Sequence, residues 1–152
     1  MRVSPVLLFV LIYMAFFLAS WLFPIDRAWY DALMKPAWTP SGRAIGMIWG
    51  FLYGLIALAV IIVYRKYGLE PKSFYLVFFI NYMFNQAYSY FQFARKDLLL
   101  ATVDCLFVAL TALFLIILAK RLSATAAVLL LPYFLWTSFA TFLSWTIYRL
   151  NA

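Results

Sequence analysis

The chain has 152 residues, 68% of them hydrophobic, 22% aromatic and only 11% charged, where a soluble domain of this length is about half apolar; the excess excludes an ordinary soluble core and calls for a bilayer as solvent. The net charge of +7 lies in short basic clusters between apolar runs, as at membrane-flanking positions, and not on a nucleic-acid-binding surface. The absence of histidine excludes imidazole haem ligation, most transition-metal sites and Ser-His or Cys-His catalysis, and the single Cys105 excludes a disulfide within the chain.

The first hydrophobic segment spans residues 5–23, long enough at about 1.5 Å per residue to cross a core of about 30 Å. Arg2 precedes it, which raises a signal peptide as an alternative. The run is long for such a peptide, and Trp21, Phe23 and Pro24 follow Ala19 where small residues are expected. A retained transmembrane helix is therefore predicted.

Residues 24–42 form a long first loop. Trp29, Tyr30 and Trp38 suit a membrane interface, and Asp26, Arg27, Asp31 and Lys35 keep the loop out of hydrocarbon. The spacing over 26–34 permits a short helix. Pro36 and Pro40 prevent its regular continuation, and Ser41 is placed to cap the next helix. A loop this long in so small a chain is more often functional than merely connecting.

The second segment, 43–64, carries Gly46, Gly50 and Gly54 at four-residue spacing, a face that admits a close helix, either inside one bundle or across a dimer. Trp49 and Tyr53 share a neighbouring face. The third segment, 73–93, carries Asn81, Asn85, Ser89 and Gln92 on one stripe, with Tyr88 beside them. Facing lipid they would be left unpaired, so the stripe faces the bundle, either for interhelical hydrogen bonds or to line a ligand cavity.

Asp97 is placed to cap the fourth segment, 98–118. Asp104, nearly two turns in, reads either as a functional acid or as an interfacial residue paired with Arg95 or Lys96. Cys105 reads as core. Ser123 is placed to cap the fifth segment, 124–150, in which Pro132 predicts a kink. Trp136, Ala140, Ser144 and Tyr148 follow at four-residue spacing. That face has the character of a pocket wall: an aromatic, a gap, a hydroxyl and a second aromatic.

The expected fold is an all-α integral membrane protein: one domain over 1–152, a five-transmembrane-helix bundle with a long loop between helices 1 and 2. Arg27, Lys35, Arg43, Arg95, Lys96 and Arg149 fall on one side of the membrane and Arg2, Arg65, Lys66, Lys72, Lys120 and Arg121 on the other. Six against six leaves the orientation open.

Trp29, Leu33, Lys35, Pro36, Trp38 and Pro40, followed by Trp49 and Leu52-Tyr53, resemble the TspO/MBR family, the tryptophan-rich sensory proteins and mitochondrial translocator proteins. Asn85, Tyr88-Ser89 and Phe91 resemble its third-helix signature. Leu131-Pro132-Tyr133, Trp136, Phe139-Ala140, Leu143, Ile147 and Leu150-Asn151 resemble its fifth. The resemblance covers essentially the whole chain. Ser41 stands where the family usually has a second proline, Tyr88 and Tyr148 where it has tryptophans, and Ser144 where it has an asparagine. The cholesterol-recognition pattern that animal members carry beyond the last helix is not found in these residues, so cholesterol transport is not expected.

The resemblance implies a multi-pass protein, of a bacterial cell membrane, that is often a homodimer. It also implies a pocket under the first loop for porphyrins, such as protoporphyrin IX, and for benzodiazepine- or isoquinoline-type ligands. Trp49, Tyr53, Tyr88 and Trp136 would offer ring faces or edges, and Asn85, Gln92 and Ser144 would fix polar atoms. Ala140 and Leu143 would complete the wall, Tyr30, Pro40 and Ile45 would close a lid over it, and Lys35 or Arg43 would meet a propionate. No obligatory cofactor or metal is expected; the porphyrin is ligand or substrate. Trp49 and Trp136 match family tryptophans implicated in light-dependent porphyrin degradation, which would make the protein a metal-free photochemical enzyme. The alternatives are a transporter of porphyrins or other hydrophobic molecules, and an assembly protein acting through its glycine face.

Overall fold

A computed structural model describes residues 2–152. The helices are α1 (Pro5–Phe16), α2 (Leu18–Leu22), α3 (Arg27–Ala32), α4 (Gly42–Tyr67), α5 (Lys72–Ser89), α6 (Leu98–Leu122) and α7 (Ala124–Asn151). α1 and α2 together form the first membrane segment and α3 lies in the first loop. By length and apolarity α1–α2, α4, α6 and α7 can each cross a membrane. α5 is the fifth member of the bundle; its Asn81 and Asn85 are buried inside. The protein is a five-helix integral membrane bundle.

The chain places its breaks where capping chemistry allows. Ser41, Asp97 and Ser123 each accept the backbone N–H of the residue three positions on, capping α4, α6 and α7. Asp26 does the same for α3. Gly68 ends α4 with φ 61°, a conformation that favours glycine.

Around the bundle α1 packs on α4, α4 on α7, α7 on α6 and α6 on α5, and α1 and α2 close the ring against α5. Ile56, Val63, Phe74, Leu115, Leu130 and Tyr133 form the buried centre toward one end. Large apolar side chains such as Phe51, Phe79, Phe114 and Leu135 point outward from every side of the ring, which suits a lipid surround.

Gly50 and Gly54 face α1: a Cβ on Gly50 would lie 3.7 Å from the Tyr13 hydroxyl, and one on Gly54 3.9 Å from the Tyr13 ring. This part of the glycine face therefore serves packing inside one bundle.

Two irregularities lie at the other end of the ring. The first membrane segment breaks at Phe17, without proline or glycine. There the Ala15 carbonyl accepts from the Tyr82 hydroxyl at 2.8 Å, and the Ala19 N–H donates to Gln86 Oε1 at 2.8 Å. Gln86 Nε2 donates to the Phe16 carbonyl at 3.1 Å. Side chains of α5 thus replace the helix's own bonds. The second irregularity is the π turn Tyr90–Ala94 that continues α5, after which Lys96 takes a left-handed φ of 55°. Such turns often mark functional sites.

Candidate functional site

These irregularities border a cavity of about 410 Å³ inside the ring, within the size range of small-molecule sites. The break in the first membrane segment presents Phe16, Phe17, Ala19 and Ser20 to it, and the π turn presents Gln92 and Phe93.

α4 supplies Ile45, Gly46, Trp49 and Tyr53. Trp49 lies edge to face against Trp136, centroids 6.4 Å apart, and beside Tyr53 at 5.6 Å. α7 supplies Trp136, Ala140, Leu143, Ser144 and Ile147. The Trp136 Nε1–H is buried and has no hydrogen-bond partner. Tyr88 of α5 is hydrogen-bonded to Ser144 at 3.2 Å, tying the two walls together. α6 adds Leu98, Val108 and Cys105, whose Sγ accepts from the Thr141 hydroxyl at 3.4 Å.

The polar stripe of α5 divides along its length. Asn81 makes interhelical bonds: Nδ2 donates to the Val108 carbonyl and the Thr111 hydroxyl, and Oδ1 accepts from the Tyr133 hydroxyl at 2.8 Å. Asn85, Ser89 and Gln92 border the cavity. Asn85 belongs to both parts, since its Nδ2 also donates to the Tyr133 hydroxyl and its Oδ1 accepts from Gln86.

The first loop lies over the mouth and is fastened on two sides. On the α5 side Lys96 Nζ bonds Asp26 Oδ2 at 2.8 Å, and Trp29 and Tyr30 pack edge-on against Phe93. On the α7 side Asn151 accepts the Met34 N–H at 3.0 Å and donates to the Met34 carbonyl at 2.8 Å. Trp38 stacks on Phe142, centroids 5.5 Å apart. Tyr30 reaches the cavity; burial first, and then the Asp31 carboxylate, raise its phenol above the ordinary 10.0.

Of the residues expected at a pocket, Tyr30, Ile45, Trp49, Tyr53, Asn85 and Tyr88 lie on this one wall, and so do Gln92, Trp136, Ala140, Leu143 and Ser144. Three others lie elsewhere. Pro40 is off the wall, because Trp38 draws its stretch onto the Phe139–Phe142 face of α7, beside the cavity face. Lys35 is turned away from the mouth: its Nζ donates to the carbonyls of Tyr30, Asp31 and Leu33 and closes the C-terminus of α3. Tyr148 packs on Trp145, and Ile147 takes the expected place on the wall.

Asp104 is buried, its Oδ2 has no hydrogen-bond partner, and neither Arg95 nor Lys96 pairs with it; Lys96 serves Asp26. Sequence reasoning missed Gln86, one position off the stripe, and Arg27, which stands at the mouth with Arg43.

Comparison with known proteins agrees with this architecture. Residues 6–149 match the model of the TspO/MBR family. The chain is 60% identical over 151 residues to the tryptophan-rich protein TspO of Bacillus cereus, covering 99% of each. It is 35% identical over 130 residues to the tryptophan-rich sensory protein of Cereibacter sphaeroides, covering 81% of this chain and 77% of that one. To the human translocator protein it is 30% identical over 129 residues, 81% of this chain and 75% of the other. With the family matched across nearly the whole chain, and with five helices enclosing a tryptophan-lined cavity under a fastened first loop, the chain belongs to the TspO/MBR family.

Proposed function

We propose that this protein is a receptor-like membrane protein that binds porphyrins in the ring cavity, together with flat aromatic ligands of the benzodiazepine and isoquinoline kind, in a bacterial cell membrane. The observation that carries this reading is the wall itself. Trp49, Tyr53, Tyr88 and Trp136 converge on one mostly apolar cavity, with Asn85, Gln92 and Ser144 as sparse polar groups. Aromatic faces and edges suit a flat conjugated ligand, and a few fixed polar atoms orient it.

The same wall supports light-dependent porphyrin degradation. An excited macrocycle against Trp49 or Trp136 can take one electron from the indole and pass it to dioxygen, leaving an indole radical cation and superoxide. The indole radical then takes an electron from the macrocycle, which restores the tryptophan, and the porphyrin radical cation combines with superoxide, the oxygenation that begins ring opening. The edge-to-face contact of the two indoles lets them share the electron hole. The protein's part is positioning and exclusion of water, with no metal in the step.

The test is competition. Protoporphyrin IX should quench tryptophan fluorescence saturably, and an isoquinoline ligand should displace it with one-for-one competition. Quenching that no isoquinoline relieves would contradict a shared cavity. Transport is the alternative reading; flux of porphyrin into sealed proteoliposomes separates it from binding alone.

A further inference from the structure

We infer that Arg27 and Arg43 form a two-arginine clamp for the anionic edge of the cavity's ligand, so that the preferred ligand carries carboxylates and enters with them toward the first loop. This rests on the cavity being a ligand site, as proposed above.

Both residues lie at the mouth of the cavity, Arg27 from α3 and Arg43 from α4. Arg27 reaches the α4 N-terminus, where a Cβ on Gly42, the neighbour of Arg43, would lie 3.9 Å from its Nη1. Arg43 sits in the first turn of α4, which contains no acidic residue. A cation there opposes the positive end of the helix dipole, and a second guanidinium adds to it. The fold thus gathers three positive elements at one point.

The chain does little to neutralise them. The ion pair among the described residues is Lys96–Asp26, which involves neither arginine. Asp31, one turn after Arg27 on α3, is the single acid bordering the cavity, and it is within ion-pairing distance of neither. The third cation of the loop, Lys35, is spent on the carbonyls of α3.

Below the mouth the walls are aromatic and apolar. A ligand matching both parts is amphipathic: a flat apolar body with one edge bearing one or two carboxylates. Guanidinium groups bind carboxylates in planar, two-bond geometry, and both side chains are exposed at the rim, open to such a partner. An anionic lipid headgroup has the same chemistry at the same rim, so the test separates the two.

Protoporphyrin IX and its neutral dimethyl ester are titrated by fluorescence quenching into the protein in phosphatidylcholine nanodiscs. Wild type should bind the acid roughly tenfold more tightly than the ester. In Arg27→Gln/Arg43→Gln the acid should fall to the affinity of the ester, with the ester unchanged. Asp31→Asn should tighten the acid alone. Equal affinity of acid and ester in wild type, or a preference that survives in the double variant, overturns the clamp and leaves the cavity reading standing. Loss of the preference when phosphatidylglycerol is added assigns the arginines to lipid headgroups and also overturns it. Binding of neither compound removes the cavity reading, and the clamp with it.

Discussion

The indole rings of Trp49 on α4 and Trp136 on α7 meet edge to face, centroids 6.4 Å apart and planes at 85°. Both line the cavity, and the Nε1–H of Trp136 is buried without a hydrogen-bond partner. The pair joins two helices that are adjacent in the ring but far apart in the chain.

On the proposed photochemistry the two indoles act as a unit. Trp136→Phe and Trp49→Phe should each slow the decay of bound, illuminated protoporphyrin by roughly tenfold, and the double variant should be little slower than either. Absorbance of the porphyrin band under constant light is the readout. Wild-type decay in both single variants would remove the indoles from the chemistry.

Asn151 holds the first loop against the end of α7 through both backbone groups of Met34. Asn151→Ala removes both bonds and should loosen loop docking by about 1 kcal/mol. Ligand dissociation should accelerate about fivefold, with the helical content unchanged. Stopped-flow recovery of tryptophan fluorescence measures it; an unchanged off-rate would mean that the loop does not gate the cavity.

Acid should release the other fastening. The hydrogen bond from Lys96, and then the Trp29 N–H, hold the Asp26 carboxyl below its ordinary value of 3.8. A carboxyl lowered in the folded state stabilises fully above the unfolded value, and the effect is lost as pH falls through the folded one. The loop should therefore be fastened at pH 6 and loosened well below pH 4. In Asp26→Asn the Trp29 and Tyr30 amides should show low hydrogen-exchange protection already at pH 6; protection equal to wild type there would dismiss the ion pair as an anchor.

Gln86 completes the break in the first membrane segment by serving the Ala19 N–H and the Phe16 carbonyl. Gln86→Leu leaves both without a partner away from water and should cost roughly 2 kcal/mol or more. Tyr82→Phe, which orphans only the Ala15 carbonyl, should cost less. Melting temperatures in detergent rank the two; a Gln86→Leu variant as stable as wild type would mean that the segment re-forms a straight helix.

Much of this was legible in the sequence, for identifiable reasons. Apolar runs separated by charges mark the five membrane segments, and Ser41, Asp97 and Ser123 mark starts of helices, because both signals are local. The break at Phe17 was not legible, since its cause is Gln86 and Tyr82 on another helix. Nor was the π turn, which brings Gln92 and Phe93 to the cavity without proline or glycine. Tyr148 was misplaced by the spacing itself. Residues four apart drift by about 40° per step on a helix, so by the third step the face has turned away from Trp136 and Ile147 takes the position. Arg27 was overlooked because its place on the cavity lining depends on how α3 folds back toward Gly42 at the α4 N-terminus.

The central claim, that the ring cavity holds the porphyrin, is tested most directly by filling it. Ala140 lies on the α7 wall among the aromatic side chains. Protoporphyrin IX should quench wild-type tryptophan fluorescence saturably at micromolar concentration. Ala140→Phe, with helicity unchanged by circular dichroism, should weaken that binding by roughly tenfold or more, since added volume in a packed site is poorly accommodated. Identical titrations for the two proteins would contradict the account.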